Sequence, residues 1–448
     1  MKLIAYFIII LGISNVIRMG IYLIASDYYK VRAVIKSKRN SRKRYYKPTV
    51  SVVVPAHNEG AIILRTLQSL HATNYPKNKM EIIVVNDGST DNTAKLVRGF
   101  IADLYKQKVE QEIHQDPTTH ELVRVFSRKK VSQFQTRLVT QPNGGKAEAL
   151  NNGIKNYTSG KLIMCLDADS LIDSDMVKNS VAYFRDREVV ALASNVNIME
   201  DGSVLSLVQR FEYIISYHMK KAQTVMNIEY IIGGIGSMFR KSVLSKVNFY
   251  DTNTMTEDID LTMKIITQGN KKQRVVFAAD ALAYTEAVPS FKSLITQRFR
   301  WKYGRMQTFI KNPGIFFNTN KRYSKQLTLL ALPLALLQEL LFVAEPIVVG
   351  YIIYTAIRYQ DTTTMLYAMV IISTYIIFNV WSTTHLKFLE KVRLTALAPP
   401  MYLMMYLMSV VEYAALIQAI IKLPKLKASI SGERTTWKSP ERSAVAAH

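Results

Sequence analysis

The chain has almost no cysteine. A single thiol, Cys165, in 448 residues excludes a disulfide framework and any zinc site built on cysteines. Acid is also scarce: 34 Asp and Glu against 58 Lys and Arg leave a formal net charge of +24, and the imbalance is concentrated. Residues 30–47 hold nine basic side chains and no acid, and residues 290–312 are equally free of acid. A third absence is at the N-terminus. The apolar stretch 3–26, interrupted by Arg18, has no small-residue cleavage site, so it reads as an anchor and not as a removed signal peptide.

What the chain has in excess is apolar length. Besides 3–26, the stretches 327–357, 365–380 and 397–421 approach or exceed the length of about 20 apolar residues that a membrane span needs. A basic run directly beside a span marks the cytoplasmic flank and contacts anionic headgroups. Residues 30–47 therefore imply membrane lipid, not nucleic acid, as the partner. The length suggests two or three units. The expected order is an N-terminal transmembrane helix (1–29), a basic juxtamembrane segment (30–47), a cytoplasmic domain (48–289), an amphipathic interface helix (290–325), transmembrane or interfacial helices (326–421) and a basic tail (422–448).

Within the middle segment, β-branched and apolar runs end in polar turns and pass into helices. The first run, 49–54, ends at Pro55, His57, Asn58 and Glu59; the second, 80–85, ends at Asp87. A strand near 137–141 leads through Asn143, Gly144 and Gly145 to Lys146 and a helix. The run 162–166 ends at Asp167 and Asp169. Residues 106–135 read as an irregular polar insertion. Strand, turn and helix in this repetition argue for a largely parallel α/β sheet, in which ligands bind beyond the carboxyl ends of the strands. Asp167 and Asp169, two apart on an extended backbone, would point the same way and suit a hard cation such as Mg²⁺ or Mn²⁺. Lys146, at a helix start after two glycines, suits a phosphate.

Six strings occur in order: VVVPAHNE, VVNDGSTDNT, NGGKAEALN, LDADS, TEDIDLTMK and QRFRW. Together they resemble family 2 glycosyltransferases of the inverting, processive, membrane-embedded kind, such as the cellulose, chitin, hyaluronan and poly-N-acetylglucosamine synthases. The TEDID form, with the QRFEYIISYHMKKA stretch before it, is most similar to the poly-N-acetylglucosamine synthases. The resemblance covers roughly 48–312. It implies a GT-A type nucleotide-sugar-binding domain with a mixed, mainly parallel sheet, plus an α-helical transmembrane region.

Carried over residue by residue, the resemblance implies that Pro55, His57, Asn58, Glu59 and Asp87 line the nucleoside site. Lys146 lies near the diphosphate, Asp167 near donor sugar and nucleotide, and Asp169 binds Mg²⁺ or Mn²⁺. Asp258 is then the general base, which inversion requires on the face opposite the leaving diphosphate. Gly234 belongs to an acceptor contact, although Ser194, Asn195 and Asn197 stand where the family often carries Gly-Asn. In 290–312 apolar residues recur at helical spacing between Lys292, Arg298, Arg300, Lys302, Arg305 and Lys311, as in a helix lying on a membrane. Gln297, Arg300 and Trp301 share one face of it; Arg300 would grip the diphosphate, and Trp301 would offer a stacking surface to donor and acceptor sugars. Asp260 is expected on a helix surface. Glu339, Glu345 and Glu412 fall in apolar context, as acids lining a pathway do. Trp437–Arg442 loosely resembles a gating-loop signature.

The function expected from this is metal-dependent polymerisation of a β-linked polysaccharide from a UDP-sugar, most simply UDP-N-acetylglucosamine, with passage of the growing chain across the cell membrane. A non-processive transferase using a lipid-linked acceptor and an inactive membrane-anchored nucleotide- or glycan-binding sensor are the alternatives. Linkage, accessory subunits and homo-oligomer formation stay open.

Overall fold

Strands buried along their whole length build the sheet-bearing half of the molecule. The computed structural model describes residues 13–14, 16–29, 46–110, 113–115, 122–124, 134–360 and 362–425; the stretch at 437–442 and most of the basic segments lie outside these. Eight strands form one sheet: β1 (Val50–Ala56), β2 (Met80–Asp87), β3 (Gln135–Gln141), β4 (Leu162–Cys165), β5 (Ser170–Ile172), β6 (Val189–Met199), β7 (Ser237–Arg240) and β8 (Arg274–Glu286). The spatial order is β3-β2-β1-β4-β7-β6-β8-β5. Four of its seven strand pairs are parallel and three antiparallel, so the sheet is mixed with a parallel majority.

The central strands are apolar on both faces because both faces are covered. Val52 and Val54 of β1, with Ile82 and Val84 of β2, pack under α1 (Ile63–His71) and α4 (Met176–Tyr183). Val53, Ile83 and Val85 point the other way, towards α3 (Lys146–Asn152), α6 (Lys241–Lys246) and α7 (Glu257–Gln268). Period-two alternation thus feeds two separate cores from one strand. The remaining helix of this half flanking the sheet's first strands is α2 (Thr93–Glu110). Its C-terminal part and a short hairpin, Ile113–Gln115 with Leu122–Arg124, occupy part of the segment expected to be irregular.

Three long helices follow α8 (Phe291–Lys311): α9 (Leu332–Tyr359), α10 (Thr362–Ser382) and α11 (Phe388–Lys422). Among the described residues, α11 alone is long and apolar enough to cross a membrane, with shorter apolar stretches at Leu327–Val343 and Met369–Ser382. Helix α9 carries Pro346 inside it and continues through it. Of these helices, α10 and α11 are joined to the sheet-bearing half by an apolar cluster in which α5 (Val204–Met226) contributes Val208, Phe211 and Ile214, α10 contributes Ile376 and Val380, and α11 contributes Leu394, Ala398 and Met401. The N-terminal helix docks on the same half: Tyr29 donates to the Phe277 carbonyl at 3.0 Å, and Ser26 bonds His218 at 2.9 Å.

Gly153, just after α3, lies flat on the sheet. A Cβ there would stand 2.8 Å from Val53 Cγ1 and 2.9 Å from Val85 Cγ2. Gly153→Val is expected to lower stability by about 1–3 kcal/mol, the usual penalty for overpacking a core. Thermal unfolding of the detergent-solubilised chain measures this; an unchanged midpoint would show that the sheet yields at this point.

Candidate active site

The carboxyl ends of β1, β2, β3 and β4 lie side by side, and the turns that leave them are tied to one another. Asn58 takes a left-handed conformation (φ 57°), which an asparagine tolerates better than most residues. Its side-chain oxygen accepts from the backbone N–H of Thr90 at 2.8 Å, and its own N–H donates to Ser89 Oγ at 3.0 Å. His57 Nδ1 bonds the Asp87 carbonyl at 2.7 Å, and Glu59 N–H donates to Thr93 Oγ1 at 2.9 Å. Pro55 is in β1 itself and fully covered.

Asp87 ends β2 at the same edge of the sheet. It is buried, and its carboxylate accepts from Gly144 N–H at 2.9 Å, Gly145 N–H at 2.8 Å and Gln141 Nε2 at 2.8 Å. It therefore shapes the Gly144-Gly145 turn. That turn needs glycine at 145, where φ is +88°, and it delivers Lys146 to the first turn of α3.

Lys146 is the centre of the site. Its ammonium lies 2.8 Å from Asp167 Oδ1 and 3.0 Å from Glu257 Oε1. Gly234 closes over this pair: a Cβ there would be 2.9 Å from Lys146 Nζ and 3.5 Å from Asp167 Oδ1. Burial pulls the Lys146 ammonium towards losing its proton, but Asp167, Glu257 and Asp258 outweigh that and hold it protonated. Asp258 is half-buried on the first turn of α7. Burial first, then the neighbouring Glu257, push its carboxyl up to about 6, while Lys146 pulls it down. The structure thus brings Lys146, Asp167, Gly234 and Asp258 together and adds Glu257, which bridges to Lys146. Beneath them Cys165 is sealed: Tyr250 donates to its sulfur at 3.2 Å, and burial pushes the thiol up to about 12.

The two aspartates at the end of β4 do not sit on an extended strand. The chain leaves β4 after Cys165 and turns, with Ser170 N–H donating to the Asp167 carbonyl at 3.1 Å, before entering β5. Alternation therefore does not align them. Asp167 faces Lys146, whereas Asp169 is buried, accepts from Ser170 Oγ at 2.9 Å and lines a small space with Arg65, Thr66 and Glu286. Both offer the hard oxygen donors that Mg²⁺ and Mn²⁺ prefer. No three His, Cys, Asp or Glu side chains cluster to form a cage among the described residues. A cation held here would take its other ligands from phosphate oxygens and water, as Mg²⁺ commonly does.

Helix α8 braces the Thr256–Asp258 turn from outside. Gly304 packs against Thr256 so closely that any side chain at 304 would overlap it. Gln307 accepts from Met255 N–H at 3.0 Å and donates to the Asn253 carbonyl at 3.1 Å. Arg300 precedes Gly304 by four residues and lies on the same face. Trp301 carries the Arg298 guanidinium 4.3 Å from its ring centroid, so part of its stacking surface is already used. Gln297 is half-buried on the same helix. Asp260 is not on the surface; it is fully buried and pairs with Lys311 at 2.9 Å. Gly304 and Gln307 carried no signal of their own in the sequence beyond a glycine inside a helical pattern.

The family follows from comparison. Residues 51–112 match the model for glycosyl transferase family 2, and residues 113–304 match a model described as glycosyltransferase like family 2. The chain belongs to glycosyltransferase family 2. Among its relatives is a poly-beta-1,6-N-acetyl-D-glucosamine synthase from Staphylococcus aureus, 30% identical over 68% of this chain and 66% of the relative. A protein of the same description from Staphylococcus epidermidis is 28% identical over 95% of this chain and 96% of its own length. Among solved structures, a mannosyltransferase from Pyrobaculum calidifontis in complex with GDP-Man and Mn²⁺ superposes with a TM-score of 0.54 at 19% identity, covering 90% of this chain and 98% of that one. This likeness confirms the GT-A like fold around the mixed eight-stranded sheet.

The charges around Asp258 set its protonation. In the role of general base that the resemblance implies, Asp258 acts deprotonated, so kcat/KM should rise with pH through about 6. Lys146→Met removes the cation that draws Asp258 down, and the acid limb should then move to higher pH at a reduced plateau. The pH profile of a UDP-release assay measures both. A limb that stays in place or moves down separates Asp258 from the titrating group.

Proposed function

We propose that the protein polymerises N-acetylglucosamine from UDP-N-acetylglucosamine into a β-linked chain, processively and with inversion at each transfer. The observation that carries this reading is the meeting of Lys146, Asp167, Gly234, Glu257 and Asp258 at the carboxyl edge of the sheet. The near full-length match to a synthase of this kind supports the choice of sugar and polymer. In each cycle Asp258 takes the proton of the acceptor hydroxyl. The hydroxyl oxygen bonds to the anomeric carbon as the bond from that carbon to the UDP oxygen breaks. Gly234 leaves room for the acceptor to approach Asp258, since any side chain there would crowd the Lys146–Asp167 pair. Lys146 and Arg300 stabilise the diphosphate as it leaves, while His57, Asn58 and Glu59 line the nucleoside end on the turns that Asp87 holds. Trp301 meets the sugars with the part of its ring that Arg298 leaves uncovered. A divalent cation at Asp169 would neutralise charge developing on the leaving diphosphate.

In this reading the chain crosses the membrane several times with its catalytic half on the cytoplasmic side and passes the polymer between its own helices; the one described helix of spanning length supports membrane insertion. The acceptor is then the growing polysaccharide itself.

Incubation of the purified protein with each UDP-sugar in turn, followed by digestion of any product with linkage-specific hydrolases, tests the substrate. Polymer from UDP-N-acetylglucosamine is expected; polymer from a different UDP-sugar alone, or a single added sugar, overturns the reading. EDTA and Asp169→Ala should each abolish turnover, and full activity in EDTA rejects the metal.

Asp258→Asn and Arg300→Ala should part company. The first keeps UDP affinity within a few-fold while transfer falls by roughly 10²-fold or more, the usual contribution of a positioned base. The second lowers both, because it removes a contact used in binding and in departure. Calorimetric titration with UDP beside the release assay tells them apart.

A further inference from the structure

Helix α8 carries three buried or half-buried cations, and each is matched by an acid from a different helix. Arg298 forms a two-bonded pair with Glu212 of α5, both contacts at 2.7 Å, and lies 3.4 Å from Glu412 of α11. Lys302 lies 2.9 Å from Glu412 and 3.5 Å from Glu339 of α9. Arg305 pairs with Glu339 as well. The result is a ladder of alternating charge, Glu212–Arg298–Glu412–Lys302–Glu339–Arg305, running along one side of α8. Its cations are well covered, with the side chains of Arg298 and Lys302 only 4% and 7% exposed, so screening by solvent is weak. The acids that stood out in apolar sequence, Glu339 and Glu412, therefore face the cations Arg298, Lys302 and Arg305 of α8.

The other side of the helix does different work. Arg298, Lys302 and Arg305 recur at i, i+4 and i+7, as do Arg300, Gly304 and Gln307. At 3.6 residues per turn the two sets lie roughly 200° apart around the axis. One side is gripped by charge; the opposite side presses on the Thr256–Asp258 turn through Gly304 and Gln307.

We propose that Glu212, Glu339 and Glu412 are positioning residues for glycosyl transfer: by pairing with Arg298, Lys302 and Arg305 they fix the rotation of α8, so that Arg300 meets the donor beside Asp258. An aliphatic face would hold the helix equally well against its neighbours but would let it turn about its axis. Directional pairs with three separate helices do not. The proposal rests on the role given above to Arg300.

The test is a double-mutant cycle in the full-length, membrane-extracted chain. Glu412→Gln keeps the size of the side chain and removes its charge. It should lower kcat/KM by roughly 10-fold or more, as displacement of a reacting contact does, and weaken UDP binding in parallel. Because it acts through Arg300, the double variant Glu412→Gln/Arg300→Ala should lose no more than Arg300→Ala alone, to within about 2-fold. A general loss of packing would instead multiply with Arg300→Ala, and losses that multiply overturn the proposal. So does an unchanged rate in Glu412→Gln. Should that variant not accumulate, Glu339→Gln, which leaves Arg298 both of its acids, is taken through the same cycle with the same outcomes. Failure of the Arg300 role itself is distinguishable: Arg300→Ala would then leave transfer and UDP affinity intact, whereas multiplying losses leave that role standing and remove only the ladder.

Discussion

One cation holds the candidate active site together. Lys146 comes from the turn after β3, Asp167 from the end of β4 and Glu257 from the start of α7, and the ammonium sits between the two carboxylates at 2.8 and 3.0 Å. Without it, three carboxylates, counting Asp258, would crowd a partly desolvated space, and repulsion would drive protons onto them. With it, Asp167 has a counter-ion while Asp258 is left with a proton affinity close to that of a base working near neutral pH. The loop geometry upstream serves this placement. Asp87 shapes the two glycines, and the glycines present Lys146.

A second set of ion pairs works at longer range. The cations of α8 are answered by acids on α5, α9 and α11, and Lys311 at its end is answered by Asp251 and the fully buried Asp260. Breaking a buried pair costs far more than forming it contributes, because the partner is left as an uncompensated charge. Such contacts are therefore better at specifying one arrangement than at adding stability. The catalytic half and the long apolar helices meet across them, alongside the apolar cluster around Phe211, Ile376 and Leu394.

The first half of the sheet was legible in the sequence because its strands are β-branched runs that end abruptly in polar turns. Val50–Ala56 and Met80–Asp87 announce both their length and their burial. The second half was not. β6, β7 and β8 mix parallel and antiparallel pairing, with a register shift between Ala278 and Leu282, and nothing local encodes a neighbour contributed from a distant segment. The same limit applies to the site. Lys146, Asp167, Gly234 and Asp258 stood out as residues, and the fold brings them together. That Asp87 and Asn58 also tie the turns together was invisible, because an acceptor's partner is not written beside it. Asp260 looked like a surface acid for the same reason: its counter-ion, Lys311, arrives from a different helix. The partners of Glu412, Arg298 and Lys302, were equally absent from its apolar neighbourhood in the sequence.

The sealed state of Cys165 has a practical consequence. It is the chain's only cysteine, it lies under Tyr250, and its thiol stays protonated well above neutral pH. Thiol reagents attack the thiolate, so the natural protein offers them almost nothing. Any cysteine introduced on an exposed position is then the one reactive thiol in the molecule. Fluorophores, spin labels or crosslinkers can be attached to exposed positions such as Thr296 of α8 or Asn143 before the Gly144-Gly145 turn without first removing a native residue from beneath the site.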